Sequence, residues 1–223
     1  MNVLFIGNSY TSCNDVPGQV AALALADPGA PEVCVHRVVE GGATLKLHAR
    51  ETGARDVIAG DPWTHVVLQE KSTGPLHDRA DFHRYAGELA AAASGARVLL
   101  YETWARKAGH EIYRWDWSGR SPARMLDTIR TELDAAARTL GAEIVPVGSA
   151  WARSLERHPQ FVLHDTDDHH ASPLGSHLAA AVFYAWLVGR DPPPVSCSID
   201  GVERDAASAL RAVAWAGVSE QRG

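Results

Sequence analysis

Asn2-Val3-Leu4-Phe5-Ile6-Gly7-Asn8-Ser9-Tyr10-Thr11 opens the chain with an apolar run that stops at a glycine and a polar turn. A run this short and this apolar reads as a strand buried on both faces. The signature recurs at Val33–Val39, His65–Gln69, Arg97–Tyr101 and Glu143–Pro146. Between these runs, Pro17–Ala26, Arg79–Ala93 and Arg124–Leu140 carry apolar residues at helical spacing; Met125, Ile129, Leu133, Ala136 and Leu140 fall on one face of the last. Leu174–Val188 and Ala206–Val218 read as two further helices, with Asp191-Pro192-Pro193-Pro194 closing the first of them. Apolar strands alternating with helices predict an α/β protein: a three-layer α/β/α arrangement around a doubly wound, parallel, five-stranded sheet of flavodoxin-like type. No linker, repeat or low-complexity tract divides the chain, so residues 1–223 are expected to form one domain with a single sizeable core.

Composition narrows the function classes. Hydrophobic residues make up 46% and charged residues 22%, ordinary values for a globular protein. The net charge of -6, with no basic stripe, argues against a nucleic-acid partner. No stretch reaches the roughly 18 uninterrupted apolar residues of a membrane span, so no membrane role is expected. No basic segment precedes Val3, which predicts a cytoplasmic location; a chain that had lost a secretory leader would read the same. Cys13, Cys34 and Cys197 are odd in number and lack a CxxC pairing, which predicts neither a disulfide framework nor a zinc site. Cys13, four residues beyond Ser9, is expected to be a small buried hydrophobe.

In an open parallel sheet, ligand groups gather beyond the carboxyl ends of the strands. Gly7-Asn8-Ser9-Tyr10-Thr11 follows the first strand and puts a hydroxyl beside the start of a helix, either as a cap or as a nucleophile awaiting a base. The stretch is not a phosphate-binding P-loop, having no GxxxxGK[ST] pattern. Gly41-Gly42 follows the second strand, where glycine permits positive φ and an N–H can approach a ligand; a plain turn is the other reading. Gln69 ends the third strand and offers an amide, either to an oxyanion or to nearby backbone. Near the C-terminus, His164-Asp165-Thr166-Asp167-Asp168-His169-His170 holds two carboxylate–imidazole pairs, Asp167/His170 at spacing three and Asp165/His169 at spacing four. Either could fix a histidine tautomer for proton transfer. The same cluster offers His164, Asp165, Asp167, His169 and His170 as metal ligands, but without HExxH or comparable spacing.

Taken together, these blocks resemble the SGNH/GDSL hydrolase superfamily, and within it the branch with a GNSxT-type first block. Gly7–Thr11 is similar to block I, Gly41-Gly42 to the block II glycine, and Val66–Glu70 stands where block III is expected. Asp167-x-x-His170, followed by Ser172 and Gly175, is similar to block V and aligns His170 with the catalytic position. Glu102–Lys107 and Pro146–Trp151 also resemble that branch. The sequence departs from the common pattern with Gln69 in place of the block III Asn, Ala171 after the block V histidine, and the extra His169.

The resemblance implies a serine esterase, acting on a small acylated substrate without a metal or other cofactor. Ser9, His170 and Asp167 would form the triad, and the Ser9 and Gly42 N–H groups with the Gln69 amide would form the oxyanion hole. Trp104, Trp115 and Trp117 are candidate substrate contacts; Trp115 and Trp117 lie in Tyr113–Arg120, a segment whose aromatic faces and Arg114 and Arg120 suit a recognition loop, although two tryptophans packed under a loop is the favoured reading. Three other readings stand beside this one: acyl transfer through the same triad, a metal-dependent hydrolase, and a non-catalytic binding module. They differ in their response to added acceptor, to chelator, and to a serine-directed probe.

Overall fold

The computed structural model describes residues 1–194 and 203–222, so Cys197 lies outside the described residues. Five parallel strands, β1 (Asn2–Gly7), β2 (Cys34–Val39), β3 (His65–Leu68), β4 (Arg97–Tyr101) and β5 (Glu143–Val145), form one sheet in the order β2-β1-β3-β4-β5. Registers such as Leu4↔Val66 and Leu68↔Leu100 hold their carboxyl ends level. The strand order reverses between β1 and β3, which opens a crevice at the ends of those two strands.

Alternating side chains of the central strands feed two cores. Val3 and Phe5 of β1, with Val67, Leu99, Tyr101 and Val145, face α2 (Val16–Ala26), α8 (Val147–Arg157), α9 (Pro173–Val188) and α10 (Arg204–Arg222). Leu4 and Ile6, with Val66, Leu68 and Leu100, face α3 (Leu45–Arg50), α4 (Ala54–Gly60), α6 (Arg79–Ala92) and α7 (Pro122–Leu140). Two short helices, α1 (Ser9–Ser12) and α5 (Gly74–His77), lie beyond the strand ends. This is the three-layer fold expected from the apolar runs.

Helix α9 is apolar on every side and correspondingly buried from Gly175 to Leu187, sandwiched among α2, α8 and α10. Ser172 caps it by accepting from the Gly175 N–H at 3.1 Å, and Pro173 occupies its first turn. Helices α3, α4, α5 and α8 were not foreseen. The first three are four to seven residues long, too short for periodicity to register. Helix α8 does carry the pattern, burying Val147, Ala150, Trp151 and Ser154.

Gly175 marks where α9 meets the loop bearing the last functional block. A Cβ there would stand 2.3 Å from the Leu163 carbonyl oxygen and 2.4 Å from the Trp151 ring. Gly175→Ala is therefore expected to destabilise the fold by about 1–3 kcal/mol or more, read as a lower urea midpoint at unchanged slope. A wild-type midpoint would show that the Leu163–Trp151 wall yields freely.

Candidate active site

Block I leaves β1 through Gly7 and turns at once into α1. Asn8 caps that helix, its side-chain oxygen accepting from the Tyr10 N–H at 3.1 Å, and Ser9 occupies the first helical position. The chain then breaks: Asn14 and Asp15 take left-handed backbone angles (φ 53° and 51°) before α2 begins. The break leaves the Asn14 side chain free to donate to the Ala171 carbonyl (3.1 Å) and the Ser176 hydroxyl (2.9 Å), tying the serine loop to the histidine loop.

Ser9, His170 and Asp167 come together in one hydrogen-bonded chain. His170 Nε2 lies 2.7 Å from Ser9 Oγ, and His170 Nδ1 lies 2.5 Å from Asp167 Oδ2. The other Asp167 oxygen accepts from the backbone N–H groups of His170 (2.8 Å) and His169 (3.0 Å). Partial burial works to raise the Asp167 pKa, but the His170 ring and the two backbone donors override it and hold the carboxyl well below its ordinary range. Asp165, the competing carboxylate, instead accepts from the adjacent Thr166 N–H. Among the described residues, one group could converge on a cation: Asp167, His169 and His170. Within that group Asp167 Oδ2 faces His170 Nδ1 at 2.5 Å and His169 Nε2 at 3.3 Å.

Gly42 sits at φ +69° on an exposed turn, as a close-approach glycine should. Its N–H, like that of Ser9, is without a protein partner among the described residues. The Asn8 side chain donates to the Ala43 carbonyl at 2.8 Å and so fixes the turn against block I. His48 of α3 donates from Nε2 to the Gly7 carbonyl (2.8 Å), and burial lowers its pKa.

Two expectations need correction. Gln69 is fully buried and turned inward: its Oε1 accepts from the Asn8 N–H (2.8 Å) and the Thr11 hydroxyl (2.9 Å), and its Nε2 donates to the Glu70 carbonyl (2.7 Å). A backbone N–H can only donate, so the amide oxygen must face Asn8; Gln69 braces the serine loop and presents no amide to a substrate. Trp104 is likewise no substrate contact. It is 0% exposed, stacked between Tyr10 (4.6 Å) and Trp151 (4.1 Å), and its Nε1 donates to the His169 carbonyl at 3.0 Å. Trp115 does stand exposed between two 3₁₀ turns. Trp117 is half-buried, edge-on to His77, and Arg120 pairs with Asp116 within the same loop.

The residues missed by sequence reading are the ones that hold the loops. Glu70 is buried beyond β3, where its two carboxylate oxygens accept from the Leu45 N–H (3.1 Å) and the Lys71 N–H (2.7 Å). It thereby links the end of β3 to the helix that follows the Gly42 turn. A carboxylate directly after an apolar strand was the available signal.

No protein-family model matches the chain, and no curated protein matches it in sequence. Solved structures do. A protein from Slackia heliotrinireducens described as an SGNH hydrolase shares 30% identity at TM-score 0.70, the alignment covering 82% of this chain and 97% of that one. The chain belongs to the SGNH hydrolase family. Its enzyme class is that of the family, a hydrolase of SGNH type. A DUF4886 family protein from Bacteroides uniformis superimposes on all of this hydrolase and 96% of its own chain at TM-score 0.83, with 17% identity. An acetyl xylan esterase superimposes at TM-score 0.66 with 15% identity, over 84% of this hydrolase and all of its own chain. At such identities the last two speak for the fold alone.

Two measurements test the bracing. Gln69→Ala would leave the Asn8 N–H buried and unpaired, so it is expected to lower stability by about 1–3 kcal/mol. A group serving only as an oxyanion donor would leave the denaturation midpoint in place. Burial pushes the Glu70 pKa up from 4.5 to about 7 despite its two backbone donors. The unfolded chain therefore releases this proton first, and the Glu70 contribution to stability falls as pH rises from about 4.5 to about 7, then stays level. Glu70→Gln should remove that component, so the change in unfolding free energy between pH 5 and pH 8 should differ from wild type; superimposable pH profiles would refute it.

Proposed function

We propose that this SGNH hydrolase is a serine esterase working through Ser9, His170 and Asp167 on a small acylated substrate. The observation that carries the reading is the unbroken chain from Ser9 Oγ through both His170 nitrogens to Asp167 Oδ2, at 2.7 Å and 2.5 Å. A serine hydroxyl becomes a competent nucleophile when a neighbouring base takes its proton. His170 Nε2 stands where it can do so, in the tautomer that a hydrogen bond from Nδ1–H to Asp167 selects.

In the proposed cycle Ser9 Oγ attacks the ester carbonyl carbon while its proton passes to His170 Nε2. Asp167 stays ionised and offsets the imidazolium charge. The negative charge developing on the carbonyl oxygen is received by the Ser9 and Gly42 N–H groups, both unengaged in the protein. Collapse of the tetrahedral intermediate breaks the bond to the alcohol oxygen, which leaves with the His170 proton. Water, deprotonated by the same histidine, then releases the acid and restores Ser9.

The test is a short-chain p-nitrophenyl ester together with intact-mass analysis after fluorophosphonate treatment. Wild type should hydrolyse the ester and gain one adduct; Ser9→Ala should lose the adduct and at least about 1000-fold in kcat. Activity in Ser9→Ala that disappears with chelator would transfer the chemistry to a cation on Asp167, His169 and His170 and end the serine reading.

A further inference from the structure

Beside the triad lies a cation with no counter-charge. Arg106, in the loop after β4, is 9% exposed, and no carboxylate stands within ion-pair distance of it among the described residues. Its Nη2 donates to Ser72 Oγ over a long 3.3 Å, while Nε and Nη1 are buried without any hydrogen-bond partner. The Tyr10 hydroxyl and His169 Nδ1 are also buried and unpartnered. These groups are neighbours: the guanidinium carbon is 6.0 Å from the Tyr10 ring centroid, and that ring is 6.2 Å from His169 and 5.6 Å from His170.

A buried charge is tolerated when it is paired, and a buried donor when it has an acceptor. Lysine can escape such a position by losing its proton; arginine cannot. Within the fold Arg106 meets only the Ser72 hydroxyl and the face of the Tyr10 ring; Asp167, the carboxylate of the neighbouring loop, is turned to His170 (2.5 Å) and His169 (3.3 Å). The unfilled valence of Arg106 is therefore for an acceptor, and its permanent charge favours an anionic one. Nε and Nη1 lie on different edges of the guanidinium, and each leaves a charged donor of the kind that a carboxylate oxygen accepts from.

We infer that Arg106, with Tyr10 and Ser72, forms a subsite for a carboxylate carried on the alcohol half of the ester substrate. The choice of half comes from its place in the fold. The cluster packs on the Tyr10 side of the His169 and His170 rings, and His170 delivers its proton to the departing alcohol. The inference rests on the serine-esterase reading above and narrows it to acyl esters of hydroxy acids.

The test compares 4-(acetoxymethyl)benzoate with its primary amide, which has the same shape and no charge. In wild type, kcat/KM for the carboxylate should exceed that for the amide about 10- to 100-fold, the range of a charge-assisted hydrogen bond. Arg106→Gln should bring the ratio close to one, and Arg106→Lys should restore part of it. Fluorophosphonate labelling of Ser9 in each variant confirms a folded site. Should Arg106→Gln fail to fold, competition in wild type decides: 4-(hydroxymethyl)benzoate should inhibit more strongly than 4-(hydroxymethyl)benzamide. A labelled Ser9 with no preference between the two esters, or a preference unmoved in Arg106→Gln, overturns the subsite and leaves the esterase reading intact. Absence of both labelling and turnover overturns the esterase reading, and the subsite falls with it.

Discussion

The buried amide of Gln69 sits where the strand order reverses, and much of the site depends on that position. In a sheet ordered β2-β1-β3-β4-β5, the loops after β1 and β3 diverge over a crevice that neither strand pairing closes. Gln69 closes its base: one oxygen accepts from Asn8 and from Thr11, the two residues flanking Ser9 and Tyr10. The contact is close enough to dictate its neighbour, since a Cβ at Gly7 would lie 2.5 Å from both Gln69 Oε1 and Thr11 Oγ1. The serine is thus held through the backbone on either side of it, by a group that never faces the substrate.

From that point a set of polar links runs outward along the strand ends. Asn8 fastens the Gly42 turn through the Ala43 carbonyl, Glu70 fastens the helix after that turn, and Asn14 reaches across to Ala171 and Ser176. Each link joins segments far apart in sequence, so the loops that meet the substrate are positioned by side chains of the scaffold and not by their own turns. Trp104 and Trp151 do the equivalent for the histidine loop: their stack carries the hydrogen bond to the His169 carbonyl. Glu102 continues the pattern beyond β4, capping α8 through the Ser149 N–H and hydroxyl.

What was legible in the sequence follows this division. The five strands and the long helices declare themselves because burial on two faces forces uninterrupted apolar runs, and burial on one face forces a helical period. Ser9, Gly42, Asp167 and His170 stand out as candidates because hydroxyl, positive-φ glycine and carboxylate–imidazole pair are tied to particular residue types at strand ends, and the fold brings Ser9, His170 and Asp167 within hydrogen-bond reach. Gln69 and Trp104 could not be placed by residue type alone. An amide at a strand end can turn toward the crevice or toward the backbone beneath it, and only the presence of the Asn8 N–H and the Thr11 hydroxyl, one strand away in space, selects the second. A tryptophan after β4 suits a sugar face or a ring stack equally until Tyr10 and Trp151 are seen on either side of it. Pairings across loops of this kind leave no periodic trace.

The crevice also places its ionisable groups unevenly, and the unevenness has a direction. Asp167 is stabilised as an anion by three donors, and Glu70 and Glu102 are enclosed carboxyls that spend their oxygens on backbone or hydroxyl donors. These three carboxylates therefore have their partners within the fold. Arg106 differs from them: its guanidinium meets the Tyr10 ring face and, over a long hydrogen bond, Ser72, while Nε and Nη1 have no partner among the described residues. A permanent cation enclosed beside the His169 and His170 rings carries a desolvation cost that an anion drawn into the crevice would offset.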